Sequence, residues 1–176
     1  KYTFDVITYD SKSDSNTCGE MAAKLCDEDE VDMIIAIQTP ETVIPVVNTA
    51  ENYDVPCIAI QAPVNPVAGN LSGTGEWTVH AFWTIEKVYE QYKALWAAAG
   101  YLPNTGVKVG LAFANDADGS AWHSIFTANL EKDGYVLVDP GKYPSLTNDF
   151  SSVVNKFKEE DIDILAGTNI PPDFAT

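Results

Sequence analysis

Positive charge is the scarcest commodity in this sequence. Ten Lys and Arg face 26 Asp and Glu, for a net charge of −16 over 176 residues. A phosphate backbone would be repelled by such a chain, and no basic cluster offsets the imbalance, so nucleic acid is excluded as a partner. Histidine is nearly as rare. His80 and His123 are the only two, and neither has a His or Cys at metal-ligand spacing. The three cysteines, Cys18, Cys26 and Cys57, form no CxxC pair, which argues against a zinc site and against a disulfide framework. Cys18 and Cys26 fall eight residues apart on one helical pattern, about 12 Å along its axis, too far to bridge; a pairing of either with Cys57 stays open beside the plainer reading of small buried hydrophobes. Apolar runs are too short to cross a bilayer. There is no GxSxG elbow, and "GNLSGTGEW" at Gly69–Trp77 lacks the GKS or GKT ending and the strand-to-helix setting of a phosphate loop. No cofactor is implied.

What is present is an alternation of two periodicities. Short runs rich in Val and Ile read as buried parallel strands at Thr3–Tyr9, Asp32–Ile37, Pro56–Gln61, Val107–Ala114, Tyr135–Asp139 and Ile162–Gly167. Between them lie amphipathic helical patterns. The first is capped by Asn16 or Thr17, with Cys18, Met21, Ala22, Leu25 and Cys26 as its stripe; the second runs from about Glu41 to Tyr53, and the third from about Ile85 to Ala99. A fourth follows Gly119 and ends near Gly134, and a fifth follows a cap at Asn148 or Asp149. This order predicts an α/β fold with parallel sheets. A Gly- and Pro-rich interruption of about 22 residues, Ala62–Trp83, is longer than a compact domain normally tolerates. It divides the chain into a first lobe at 1–76, a connector at 77–83 and a second lobe at 84–176.

In parallel α/β sheets ligands bind at the carboxyl ends of the strands. Four such loops, "QTPET", "APVNP", "NDADGSAW" and "TNIPPD", are dense in hydroxyls, carboxylates and residues that leave backbone N–H groups free. "NDADGSAW" resembles a calcium loop until it is aligned. With Gly119 at the sixth position, Asp116 and Asp118 fall correctly, but Ala114 takes the first position and Ile125 the twelfth, so two essential ligands are missing. No metal site is read there. The same two aspartates are the only acid/base pair an enzyme reading finds, and helix capping accounts for them more simply. No catalytic residue is assigned. Among the tryptophans, Trp77 and Trp83 are candidates to line a cleft, whereas Trp122 falls on the apolar face of its helix.

With those residues in view, the whole chain resembles the solute-binding proteins of branched-chain-amino-acid-type ABC transporters, the type I periplasmic binding fold. The likeness runs in order through "YDSKSDSNTCGEMAAKL", "VDMIIAIQTPETVIPVVNTAENYDVPCIAI", the long stretch from Val107 to Gly167 and the closing "PPDFAT". The resemblance implies two Rossmann-like lobes that close on a small organic solute, an amino acid or related small carboxylate. It also implies delivery to an ABC permease in the membrane and an extracytoplasmic location, in the periplasm or lipid-anchored at the cell surface. Carried over by position, the ligand-binding residues are Thr39, Pro40, Glu41 and Thr42 in the first loop, Gln61, Ala62 and Pro63 in the next, Asp118 ahead of Gly119, and Asn169 with Ile170. Pro40 stands where amino-acid binders often have serine, and the second loop lacks their threonine. Parts of the family fold are missing at both ends, so the start reads as processed or cut and the remainder of the polypeptide becomes a partner in completing the site. Two other readings stay open: a ligand-sensing domain of a receptor or regulator, and an α/β enzyme using Asp116 and Asp118.

Overall fold

The computed structural model describes residues 2–63, 75–145 and 147–169. Residues 64–74, which hold much of the Gly- and Pro-rich interruption and most of "GNLSGTGEW", lie outside that set, as do Ile170 and "PPDFAT". The chain separates into two compact units, Lys1–Thr84 and Ile85–Thr176. Each is α/β with a three-stranded, wholly parallel sheet.

The first unit begins with α1 (Ser15–Asp27). Its cap is Asp14, whose carboxylate accepts the backbone N–H of Thr17 at 2.7 Å and the Thr17 hydroxyl at 2.8 Å. The sequence expectation of Asn16 or Thr17 is therefore corrected by one turn. The apolar stripe starts only at Cys18, but the carboxylate that reaches the orphan N–H sits three residues before Thr17. Strands β1 (Ile34–Ala36), β2 (Cys57–Ala59) and β3 (Thr78–His80) lie in that order, with Ile35, Ile58 and Val79 in register across the sheet. Between β1 and β2 runs α2 (Pro40–Asn52), opened by a proline at its first position, where the missing N–H costs nothing. Val43, Val47 and Ala50 of α2 bury themselves against Ile34, Ala36, Cys57, Ala59 and Ala62. Cys18 and Cys57 are buried, and all three cysteines are free thiols.

Two expectations for this unit need correction. Residues 3–9 form no strand: among the described residues no backbone ladder joins them to a neighbour, and Tyr2, Phe4 and Val6 stand largely exposed. Apolar alternation favours a strand, but only a hydrogen-bonding partner makes one. Conversely, Thr78–His80, read as connector, adds to the first sheet, because Cys57 and Ala81 donate to Trp77 and Ala59 carbonyls across the β2–β3 ladder.

In the second unit β4 (Lys108–Ala112) is central, flanked by β5 (Val136–Val138) and β6 (Ile164–Gly167). Gly110 lets β4 pass under α5 (Ser151–Glu160): an added Cβ would lie 2.7 Å from Ile162 Cδ1 and 2.8 Å from Phe157 Cε1. No side chain caps α5 from the N-cap position, held by Phe150. Instead Asp149 takes the Ser151 N–H at 2.9 Å from one residue further out. Helix α3 (Ile85–Ala98) packs on α4 (Ala117–Asp133), which stops at Gly134 in the left-handed conformation. Phe126 of α4 is the hub of an aromatic cluster, with ring centroids 5.3 Å from Tyr89, 5.5 Å from Phe113 and 5.7 Å from Trp122. Trp122 is thus core, as its place on the apolar face predicts.

A polar clip ties α3 to the end of α4. Fully buried Tyr89 donates its hydroxyl to Asp133 at 2.8 Å, and Lys93 reaches the same carboxylate oxygen at 2.8 Å. Burial pushes the Asp133 carboxyl up, but the Lys93 and Tyr89 hydrogen bonds outweigh it and hold the group below its ordinary value. Replacing Asp133 with Ala strands the Tyr89 hydroxyl and should destabilise the protein by about 1–3 kcal/mol in denaturant unfolding. Because the folded-state value is depressed, the carboxylate's contribution is complete above the ordinary carboxylate range and is lost as the pH falls through the folded value. The stability gap between wild type and Asp133→Asn should therefore close below about pH 4; a gap unchanged in acid would show that the charge on Asp133 contributes nothing.

Candidate functional site

The carboxyl ends of β1 and β2 carry two loops with an unusual backbone. Gln38 and Gln61 both adopt left-handed conformations, at φ 90° and 62°. That region costs a non-glycine residue energy and concentrates at functional sites. Thr42 braces the first loop by donating its hydroxyl to the carbonyls of Thr39 at 3.0 Å and Ile37 at 3.2 Å. Thr39 occupies the N-cap position of α2 but makes no side-chain cap bond, and it is exposed.

The sequence-derived positions divide by burial. Thr39, Glu41 and Gln61 are exposed and Thr42 and Pro63 are half-buried. Pro40 and Ala62 are fully buried, Ala62 within the α2 core. Their side chains pack inward. His80, which the sequence left without a partner, lies within 2.8 Å (Nε2) of the Ala62 carbonyl oxygen and so ties the end of β3 to the β2 loop.

The second unit presents a denser array at the end of β4. Asp116 is the true cap of α4: one carboxylate oxygen takes the Gly119 N–H at 2.7 Å, and the other accepts the Ser145 hydroxyl at 3.2 Å. Asp118 does not cap. Its carboxylate accepts the Trp122 indole N–H at 3.1 Å. Burial pushes the Asp118 carboxyl up; the Trp122 hydrogen bond pulls against this, and the nearby Asp116 charge adds to the rise. Gly119 is indispensable to the packing of this turn, since an added Cβ would sit 2.1 Å from the Ala114 carbonyl oxygen.

Sequence reasoning missed the loop after β5. Tyr143 forms a parallel bridge with Ala114, receiving the Asn115 N–H at 2.7 Å and donating its own to Phe113 at 3.0 Å. This brings Lys142 to Ser120 at 2.7 Å and Ser145 to Asp116. Asn169 joins the same group by donating to the Tyr143 hydroxyl at 3.1 Å, whereas Ile170 is outside the described residues. "PGKYPS" follows a predicted strand, so the carboxyl-end rule applied to all strands would have found it. His123 pairs with Asp139 at 2.8 Å at the end of β5. Asp116 and Asp118 are thus both engaged by neighbours. Among the described residues no group of three or more His, Cys, Asp or Glu is placed to hold a metal ion, and no helix is long and apolar enough to cross a membrane.

Comparison with known proteins sharpens this picture. Residues 2–176 match the family model described as periplasmic binding protein. A search of the curated proteins returns no match. Among solved structures, a periplasmic binding protein from Burkholderia mallei is similar at TM-score 0.79 and 18% identity, over 97% of this chain and 44% of that one. A solute-binding protein of an ABC transporter from R. palustris, in complex with 4-hydroxybenzoate, is similar at TM-score 0.73 and 16% identity, over 89% of this chain and 40% of that one. An ABC transporter substrate-binding protein from Desulfitobacterium hafniense, in complex with Leu, is similar at TM-score 0.70 and 12% identity, over 93% and 46%. The chain therefore spans less than half the length of these structures, whose likeness at such identities speaks for the fold. The family match over nearly every residue, the paired parallel sheets and the loops gathered at their strand ends agree, and the chain belongs to the periplasmic binding protein family.

Proposed function

We propose that this chain forms part of an extracytoplasmic receptor that captures a small organic solute by closure of its lobes and delivers it to an ABC permease. The family match across residues 2–176 is the observation that carries the reading. The solute class it favours is an amino acid or related small carboxylate; leucine and 4-hydroxybenzoate, bound by two of the similar proteins, both carry a carboxyl group. In the first unit, the exposed Thr39 at the start of α2 is suited to a carboxylate, and exposed Gln61 follows the carboxyl end of β2. In the second, Asp118 is suited to a solute O–H or N–H donor, because a half-buried carboxyl with one protein partner retains acceptor capacity. Asn169 adds an amide. Binding without turnover is the activity these groups support.

A thermal-shift screen of the full-length protein tests the reading, using amino acids, hydroxybenzoates, peptides, sugars and polyamines. One chemical class at about 100 times its Kd should stabilise the protein by about 2.7 kcal/mol, a rise of a few degrees in Tm. No shift with any class would overturn it. Once a solute is in hand, Asp118→Ala should weaken its binding about 3- to 100-fold in calorimetry, and an unchanged Kd would remove Asp118 from the site.

Asp118 also makes a stability prediction that needs no solute. Its folded-state value is raised, so its contribution is greatest in acid and falls as the pH rises through that value. Asp118→Asn keeps an oxygen for the Trp122 N–H and removes the charge. Its Tm relative to wild type should rise between about pH 3 and pH 7; a constant difference would contradict the burial described above.

A further inference from the structure

The two tryptophans that the sequence offers to a cleft sit at opposite ends of β3, and only one is on the edge where the candidate solute loops gather. Trp77 precedes the strand. Its carbonyl accepts the Cys57 N–H at 2.8 Å where β2 begins, and its N–H donates to Glu51 at 3.2 Å near the end of α2, so it marks the amino edge of the sheet. Trp83 follows the strand. Because the sheet is wholly parallel, Trp83 lies on the edge where β1 leads to Gln38 and Thr39 and β2 leads to Gln61.

Trp83 does not stand alone. The Phe82 ring lies against it, with centroids 4.8 Å apart and planes inclined by 39°. Ala81, Phe82 and Trp83 are all exposed, Trp83 at 67%. Isolated exposed apolar side chains are ordinary surface, so one tryptophan would need no explanation; two rings in contact at a strand end make a continuous apolar patch among polar loops. The chain that carries them is tied down. Ala81 donates to the Ala59 carbonyl at 2.9 Å, and His80 Nε2 lies 2.8 Å from the Ala62 carbonyl oxygen. Rings mounted on a fixed strand end lose little freedom when they are covered.

The shape of the pair selects what covers it. An indole face attracts either a second ring or a cation. Cations such as quaternary ammonium groups are taken by cages of several aromatic faces, whereas Phe82 and Trp83 form an inclined pair with Trp83 open to solvent. That shape suits an offset or edge-on ring. We infer that the pair is an aromatic platform in the solute site, and that the solute carries a planar ring as well as its carboxyl group. Its class is then an aromatic carboxylate in preference to an aliphatic amino acid. The inference rests on the receptor reading above and narrows its solute class. Trp83, with Phe82 behind it, determines specificity for the ring, and the start of α2 takes the carboxylate.

Calorimetry on the full-length protein with matched probes tests it: benzoate against cyclohexanecarboxylate, and phenylalanine against cyclohexylalanine, with leucine and choline alongside. Each pair shares a carboxyl group and differs in ring character. The aromatic member of at least one pair should bind about 2- to 12-fold more tightly than its saturated partner, the worth of a ring contact beyond its buried area. Trp83→Leu should erase that preference, Trp83→Tyr should keep it, and both variants should melt as the wild type does, because Trp83 is exposed. Saturated probes that bind as tightly as aromatic ones, or a preference that survives Trp83→Leu, would overturn the platform. So would a large fall in Tm for both variants, which would show the indole packed inside the protein. Binding of choline alone would replace the ring with a cation. Binding of leucine alone would overturn the platform and leave the receptor reading standing, whereas no binding by any probe or any class of the thermal-shift screen removes both.

Discussion

Everything in this molecule follows from the parallel orientation of its strands. A parallel pair cannot be closed by a tight turn, so each connection must cross back over the sheet, and the strands' carboxyl ends are left pointing the same way. That single constraint makes helices cover the sheets, makes the strands apolar on both faces, and collects the polar loops at one edge of each sheet. The three-residue strands of the first unit are short, yet their registers are specified because a slip of one residue would move Ile34 and Ala36 off α2 and expose them.

The loops so collected are held by different means in the two units. In the first, the means is backbone strain at Gln38 and Gln61 together with the Thr42 brace. In the second, it is a network in which Asp116 serves both its own helix and Ser145, and Tyr143 joins the β4 loop to Asn169. The glycines on that edge are steric requirements. Gly119 lies against Ala114, and a Cβ on Gly167 would approach the Ala112 carbonyl oxygen to 2.3 Å. Polar groups held in this way keep the ordering cost of any binding low.

Much of this was legible in the sequence. Amphipathic stripes located the five helices among the described residues, and Val- and Ile-rich runs located β1, β2, β4, β5 and β6, each somewhat longer than its hydrogen-bonded core. What could not be read is what depends on partners distant in sequence. The strand at Thr78–His80 is visible only once Cys57–Ala59 lies beside it, and the apolar alternation at residues 3–9 found no ladder to join. Pro40 opens α2 and Ala62 lies in the loop after β2, and only packing shows that they face inward. The loop of Lys142, Tyr143 and Ser145 could be placed by the end of β5, but its parallel bridge to Ala114 joins residues far apart in sequence.

The two left-handed glutamines carry an implication for anyone reshaping this protein. A glycine would relieve the backbone at either position, but it would also widen the range of conformations open to the loop. Selection for heat resistance alone would thus be drawn toward substitutions that relax Gln38 and Gln61, trading fixed loops for an easier fold. Directed evolution of this scaffold therefore has to keep loop conformation under selection alongside stability, or these two loops are the first features it will erode.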